Sequence, residues 1–324
     1  EPMDFIHAGG LWNPPLQGLQ VYSNRRMAEV DPDREANLFS WLAYARLQKK
    51  PFVVSMWGCP WPSECRAELP LWMAAMAGWQ DWQGCVLSSS ASRIDSGEGA
   101  IAGPLENWND PAVWGVMPAA ALLFHRRSLE PARAEVFMAV PESQLFTGDP
   151  VTPASCRTTR LADVARIAVR LRARPSGSSI LSPTQPEDVT VYFKKSDGQE
   201  GLRHDSARGL VWVNTPHSQA VIGRLREAAA DPPGLLHIQS GEDFGVVCVN
   251  SLDGLPLPKS RDLWITVISR AQNQGFRSTP AGDGYQIDAP GQAPVRIQDT
   301  PARLFIETRQ TGWTLRAVDG GGRE

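Results

Sequence analysis

The chain has 324 residues, 42% of them hydrophobic and 21% charged, with a formal net charge of −3. That balance excludes a disordered polymer, and scattered Lys and Arg leave no basic footprint for nucleic acid. No run approaches about 18 consecutive apolar residues, so no transmembrane span is expected.

The first half alternates strand and helix signals. Phe5-Ile6-His7-Ala8 is a short apolar run ending in Gly9-Gly10, read as turn glycines. Asp33 to Lys49 carries Leu38, Trp41, Leu42 and Ala45 on one helical face. Pro51 to Trp57 is apolar and β-branched, as suits a strand covered on both faces. Arg66 to Gln80 predicts a second helix, and Gly84-Cys85-Val86-Leu87 a third strand. A long loop, Ser88 to Asn109, then reaches Asp110-Pro111, where Asp suits a helix N-cap and Pro the first helical position. Val113, Met117, Ala120 and Phe124 form the periodic side of this third helix, and His125-Arg126-Arg127 end it.

Glu135 to Val140 predicts a strand, and Ser155 to Arg172 an amphipathic helix whose arginines form a solvated face or an anionic docking surface. The Pro-, Gly- and Ser-rich stretch Pro175 to Glu187 reads as a domain boundary. Beyond it the pattern is all strand: Val189–Lys194, Gly209–Asn214, Ala220–Leu225, Leu235–Gln239, Gly245–Ser251, Leu263–Ser269, Gly284–Asp288, Ala293–Gln298, Ala302–Glu307 and Trp313–Val318. Asp253-Gly254 supplies a hairpin-type turn. The expected fold class is therefore α/β plus all-β. A partial (β/α) barrel-like domain covers residues 1–180 and an antiparallel β-sandwich residues 187–320.

Several pieces, in order, resemble a known family. They are Lys50-Pro51-Phe52-Val53-Val54-Ser55, Arg66-Ala67-Glu68-Leu69-Pro70, Trp79 to Gly84, Asn109 to Gly115, and the run Gly209 to Pro216 followed by Ser218-Gln219-Ala220. Together they resemble the C-terminal part of a (β/α)8 glycoside hydrolase of the cellulase-like, family 5 type with its C-terminal β-sandwich. The resemblance implies a catalytic glutamate after Ser55, but that position is Met56. Retaining hydrolysis needs two carboxyl groups roughly 5 Å apart, and a thioether cannot replace one. There is room for only about three or four strand–helix units against the eight of a closed barrel. Where the family carries flanking sugar contacts, this chain has Gly9, Leu11 and Trp12 after one strand and Ser88 to Ser92 after another. The implied function is a non-catalytic structural or accessory subunit of a larger assembly. The alternatives are a carbohydrate-binding protein, or a hydrolase fragment whose N-terminal half is missing.

Few residues compete as sites. Trp12, Trp57 and Trp61 lie near loops at the former active face and serve either as packing or as binding anchors to a partner subunit or a sugar. Glu68 is expected to pair with an arginine such as Arg66 or Arg93. Ser55 lacks a Gly-x-Ser-x-Gly elbow. His7, His125, His204, His217 and His237 show no metal spacing, so neither metal nor cofactor is expected. Cys59 and Cys65 flank a Pro-rich loop and are either a disulfide or two reduced thiols. Glu1-Pro2-Met3-Asp4 has no signal-peptide pattern; an extracytoplasmic location is the expectation, and export is the condition under which the cysteine pair would be oxidised.

Overall fold

The computed structural model describes residues 4–15, 20–89, 99–146, 152–153, 159–172, 180–181, 201–230, 232 and 234–318. Strands β1 (Ile6–Leu11), β3 (Phe52–Gly58) and β4 (Gly84–Leu87) form a parallel sheet in the order β1-β3-β4. Helices α1 (Leu38–Ala43) and α2 (Glu68–Trp79) pack against it. A second parallel sheet has β5 (Glu135–Val140) between β6 (Arg166–Leu171) and β7 (Ile180–Leu181). Leu47 bridges β6 in parallel at Val169. A one-turn helix α5 (Leu161–Val164) leads into β6, and α3 (Pro111–Trp114) and α4 (Met117–His125) fill the interval before β5.

The rest is antiparallel. Strands β8 (Leu202–Asp205), β9 (Leu210–Asn214), β10 (Ser218–Gly223), β12 (Gly245–Ser251) and β13 (Leu263–Ile268) make a five-stranded sheet in the order β13-β12-β10-β9-β8. Smaller sheets pair β11 (Leu236–Ser240) with β18 (Ala302–Ile306), and β14 (Ala271–Gln274) with β17 (Gln292–Ile297). Strand β16 (Gly284–Ala289) lies between β15 (Arg277–Ala281) and β2 (Val21–Tyr22), so an N-terminal strand completes a C-terminal sheet.

Strand alternation gives the five-stranded sheet two buried faces. Val211, Val213, Ala220, Ile222, Val246 and Cys248 join the same core as α1, α2 and β3. Leu210, Trp212, Val221, Val247 and Val249 point the other way and pack with Leu236 and Ile238 of β11. The chain is thus mixed α and β with sandwich-like antiparallel sheets, and no closed barrel exists among the described residues.

Several expectations need correction. Asn37 accepts the Ser40 amide at 3.0 Å, so this cap starts α1 five residues later than Asp33, and Trp41 is exposed. Gly9 and Gly10 lie inside β1 rather than in a turn, because β1 and β3 approach closely there: a Cβ on Gly9 would sit 2.7 Å from the Met56 carbonyl. The predicted helix over 155–172 is a single turn followed by a strand. Ala165 is extended, and Ile167, Ala168 and Val169 are all buried, as in a strand covered on both faces. The helix from Asp110 is interrupted at Gly115 and Val116. Trp313–Val318 forms no strand. Within the expected boundary stretch 175–187, Ile180–Leu181 is strand β7, paired in parallel with β5; the rest of that stretch, the strand at 189–194 and Arg93 lie outside the described residues.

Candidate functional site: an open sheet face and a strand-end cleft

Strand β3 sets the site. Phe52 and Val54 are fully buried on the helix side, whereas Val53 and Ser55 face the other way. On that second face His7 lies beside Ser55, with Nδ1 3.0 Å from Oγ. Val86 of β4 is 55% exposed, and Met56 at the carboxyl end of β3 is 43% exposed. Among the described residues, this parallel sheet is covered on one side only, an unusual state for parallel strands.

The His7–Ser55 pair is no nucleophilic site. The Ser55 hydroxyl has one proton, for which the Ala8 carbonyl at 3.3 Å competes with His7 Nδ1 at 3.0 Å. No carboxylate is hydrogen-bonded to His7 among the described residues, so the orienting third member is missing. Met56 offers neither a nucleophile nor an acid.

The three tryptophans offered as binding anchors are packed rather than displayed: Trp12 is 9%, Trp57 3% and Trp61 4% exposed. Trp12 Nε1 donates to the Arg25 carbonyl at 2.8 Å, and the Arg25 guanidinium lies over its ring. Trp61 Nε1 donates to Gln272 Oε1 at 2.8 Å, and its ring meets Phe276 edge-on. Trp61 reads as surface because it follows β3 at a loop position, but Gln272 of β14 and Phe276 cover it, whereas Trp57 lies within β3 and Trp12 is held by Arg25.

Beside Trp61 a cleft of about 680 Å³ opens among segments that follow β1, β3 and β4, closed on its far side by β16. Its walls include Pro15, Pro104, Ile287 and Pro290, with Gln20 and Glu106 as polar groups. A crevice outside the carboxyl ends of parallel strands is the usual ligand position in open α/β sheets.

The charged groups nearby are structural. Cys59 and Cys65 are both free, buried thiols, so the candidate disulfide is not formed; burial pushes the Cys59 thiol up to about 12 and Cys65 well above its ordinary value. Glu68 does not pair with Arg66. It is fully buried and accepts the Met27 amide at 2.7 Å, pinning the short helical turn Met27–Glu29 to the start of α2. Burial raises its pKa to about 7, against the downward pull of the Met27 and Ala28 amides and of Arg26. Arg66 instead holds Asp110, the N-cap of α3.

Sequence reasoning also missed His204. Its Nδ1 lies 3.1 Å from Asp163 and its Nε2 2.9 Å from the Ala28 carbonyl. Acceptors facing both ring nitrogens favour the doubly protonated imidazolium form and draw the His204 pKa upward. The lone position of His204 in the sequence gave no signal of this, because Asp163 and Ala28 are distant along the chain.

Among the described residues no group of three or more His, Cys, Asp or Glu side chains could hold a metal, and no helix is long and apolar enough to cross a membrane. No known family matches the chain, and no curated protein or solved structure matches it significantly. The glycoside hydrolase resemblance therefore rests on the sequence pieces alone.

Proposed function

We infer that the chain is a non-catalytic, glycoside-hydrolase-derived structural or accessory subunit of a larger protein assembly. The observation that carries this reading is the side of the β1-β3-β4 sheet that the described residues leave uncovered, where Val86 and Met56 are exposed. Parallel strands are stable when both faces are covered, and a partner that supplied that cover would also shield the outer edges of β1 and β4. In the same reading, the two parallel sheets are remnants of a (β/α) barrel, with Met56 in the position of the lost nucleophile. An extracytoplasmic location belongs to this proposal.

The test is native mass spectrometry of the protein purified from its own source, paired with Val86→Arg. A stable hetero-complex that Val86→Arg dissociates supports the reading. A lone chain, or glycoside turnover by that chain, ends it.

The strand-end cleft favours a second reading, retained carbohydrate binding. Its amide and carboxylate groups over proline and tryptophan walls suit a polyol. Oligosaccharide titration followed by tryptophan fluorescence tests it, and a flat response into the millimolar range counts against it.

A further inference from the structure

The short turn Met27–Glu29 lies against β8 and β9, with Met27 and Ala28 buried beneath it. Its own hydrogen bonds are two, from the Glu29 amide to the Arg26 carbonyl at 3.2 Å and from the Val30 amide to the Met27 carbonyl at 3.1 Å. No side chain caps its start. Neighbouring elements therefore hold it, and two of the holders titrate. From α2, Glu68 Oε1 accepts the Met27 amide at 2.7 Å. From β8, His204 Nε2 lies 2.9 Å from the Ala28 carbonyl, while its Nδ1 is 3.1 Å from Asp163 of α5. A buried carboxyl group and a buried imidazole thus grip adjacent residues of one turn from two different elements. Nearer the surface, Arg26 reaches Asp243 and Glu29 reaches Arg224.

We propose that Met27–Glu29 is a proton-operated clasp, closed while Glu68 and His204 both hold their protons and opening locally as they lose them. The two groups act in the same direction. Glu68 Oε2 has no hydrogen-bond partner among the described residues, so ionisation leaves one charged oxygen buried and unmet. The groups around it are the Cys59 and Cys65 thiols, Arg26 and Glu29, and burial outweighs the help of Arg26 and the two amides. Neutral His204 keeps one N–H for two acceptors, so it must release either Asp163 or the Ala28 carbonyl. Around it stand Asp163, Arg160 and the Trp72 ring. Lifting the turn lets water reach the carboxylate and frees the imidazole. It also loosens one wall of a charged cleft of about 540 Å³ lined by Arg26, Glu29, Arg224 and Asp243. The clasp shares no residue with the open sheet face, so it stands apart from the proposed assembly.

Hydrogen–deuterium exchange of the full chain from about pH 6 to about pH 8.5 is the test, each rate being divided by the intrinsic rate at that pH to give a protection factor. Protection of the peptide spanning Met27 to Val30 is expected to fall about tenfold or more across that range, the equivalent of one unit of pKa shift. Mild urea is expected to leave exchange of this peptide unchanged, as befits a local opening, and to speed that of β10, which needs global unfolding. Glu68→Gln, which keeps an acceptor but does not titrate, is expected to shrink the fall. Asp163→Asn, which acts on His204 alone, is expected to move it to lower pH and decides the matter should Glu68→Gln fail to fold. Protection that does not change with pH, a urea dependence equal to that of β10, or a fall that neither variant alters overturns the proposal.

Discussion

Arg66 and Asp110 form a two-pronged ion pair in which neither side chain has any exposure. The pair ties together three distant parts of the chain. Arg66 also donates to the Ser63 carbonyl at 2.9 Å and to the Ala271 carbonyl of β14 at 2.5 Å, and Asp110 accepts the Ala112 amide at 3.0 Å to start α3. Four of the five guanidinium N–H donors and both carboxylate oxygens are thereby used, and such satisfaction is what lets a buried pair be tolerated.

Removing one partner leaves an uncompensated charge in the core. Asp110→Ala and Arg66→Ala are each expected to cost about 3–5 kcal/mol. Urea unfolding of each variant checks this, and a loss below about 1 kcal/mol would show that the pair is unimportant.

Glu68 gives the fold a pH dependence with a definite sign. Its folded pKa is raised to about 7, above its ordinary value of 4.5. The stability it contributes is therefore complete below the unfolded value and is lost as pH rises through about 7. Glu68→Gln keeps an acceptor for the Met27 amide and removes the titration. Its stability relative to the parent should rise from pH about 4.5 to pH about 8 by roughly 3 kcal/mol, measured by denaturant unfolding at several pH values. A constant difference across that range would contradict the assignment.

His204 acts in the same direction for a different reason. Burial alone would lower its pKa, but the hydrogen bond and charge of Asp163 and the Ala28 carbonyl outweigh it, and the net shift is upward. Its contribution is full below the ordinary histidine range and disappears above the raised value. Asp163→Asn should therefore destabilise by about 1.5–3 kcal/mol in mild acid and by less in alkali, where His204 is neutral in both proteins. Thermal melts at the two extremes decide it.

Met56 is half in solvent, so Met56→Glu should fold with a stability change within about 0.5 kcal/mol. It should not release aryl alcohol from aryl glycosides, because a lone carboxylate lacks its acid partner. Measurable turnover would mean that a second carboxyl group is within reach. Gly9→Ala, by contrast, drives a Cβ to 2.7 Å from a backbone oxygen and is expected to cost about 1–3 kcal/mol in a denaturant titration.

Local chemistry was readable from the chain where it is self-contained. Asp110 announces the start of α3 because an N-cap acts within a few residues, and its side chain does accept the Ala112 amide. Strands β5 and β12 were legible because their apolar runs are short and bounded. Segment 166–171 misled because a strand buried on both sides has no alternation, and its arginines mimic helical spacing. Strands β14 and β15 carry polar or turn-forming residues, and β2 is only the pair Val21-Tyr22, too short to signal itself; each is recognisable only through its sheet partner. The candidate site divided similarly. The absence of a carboxylate at Met56 was plain in the chain. The burial of Trp12, Trp57 and Trp61, and the partners of Arg66 and His204, depend on contacts between remote segments that no local pattern encodes.

One face of the five-stranded sheet is lined by residues that belong to the same apolar interior as α1, α2 and β3. Severing the polypeptide between these regions would bare both sides of that shared interior to water at once. Each piece expressed alone is therefore expected to expose apolar surface and aggregate, which size-exclusion chromatography of the separate halves checks.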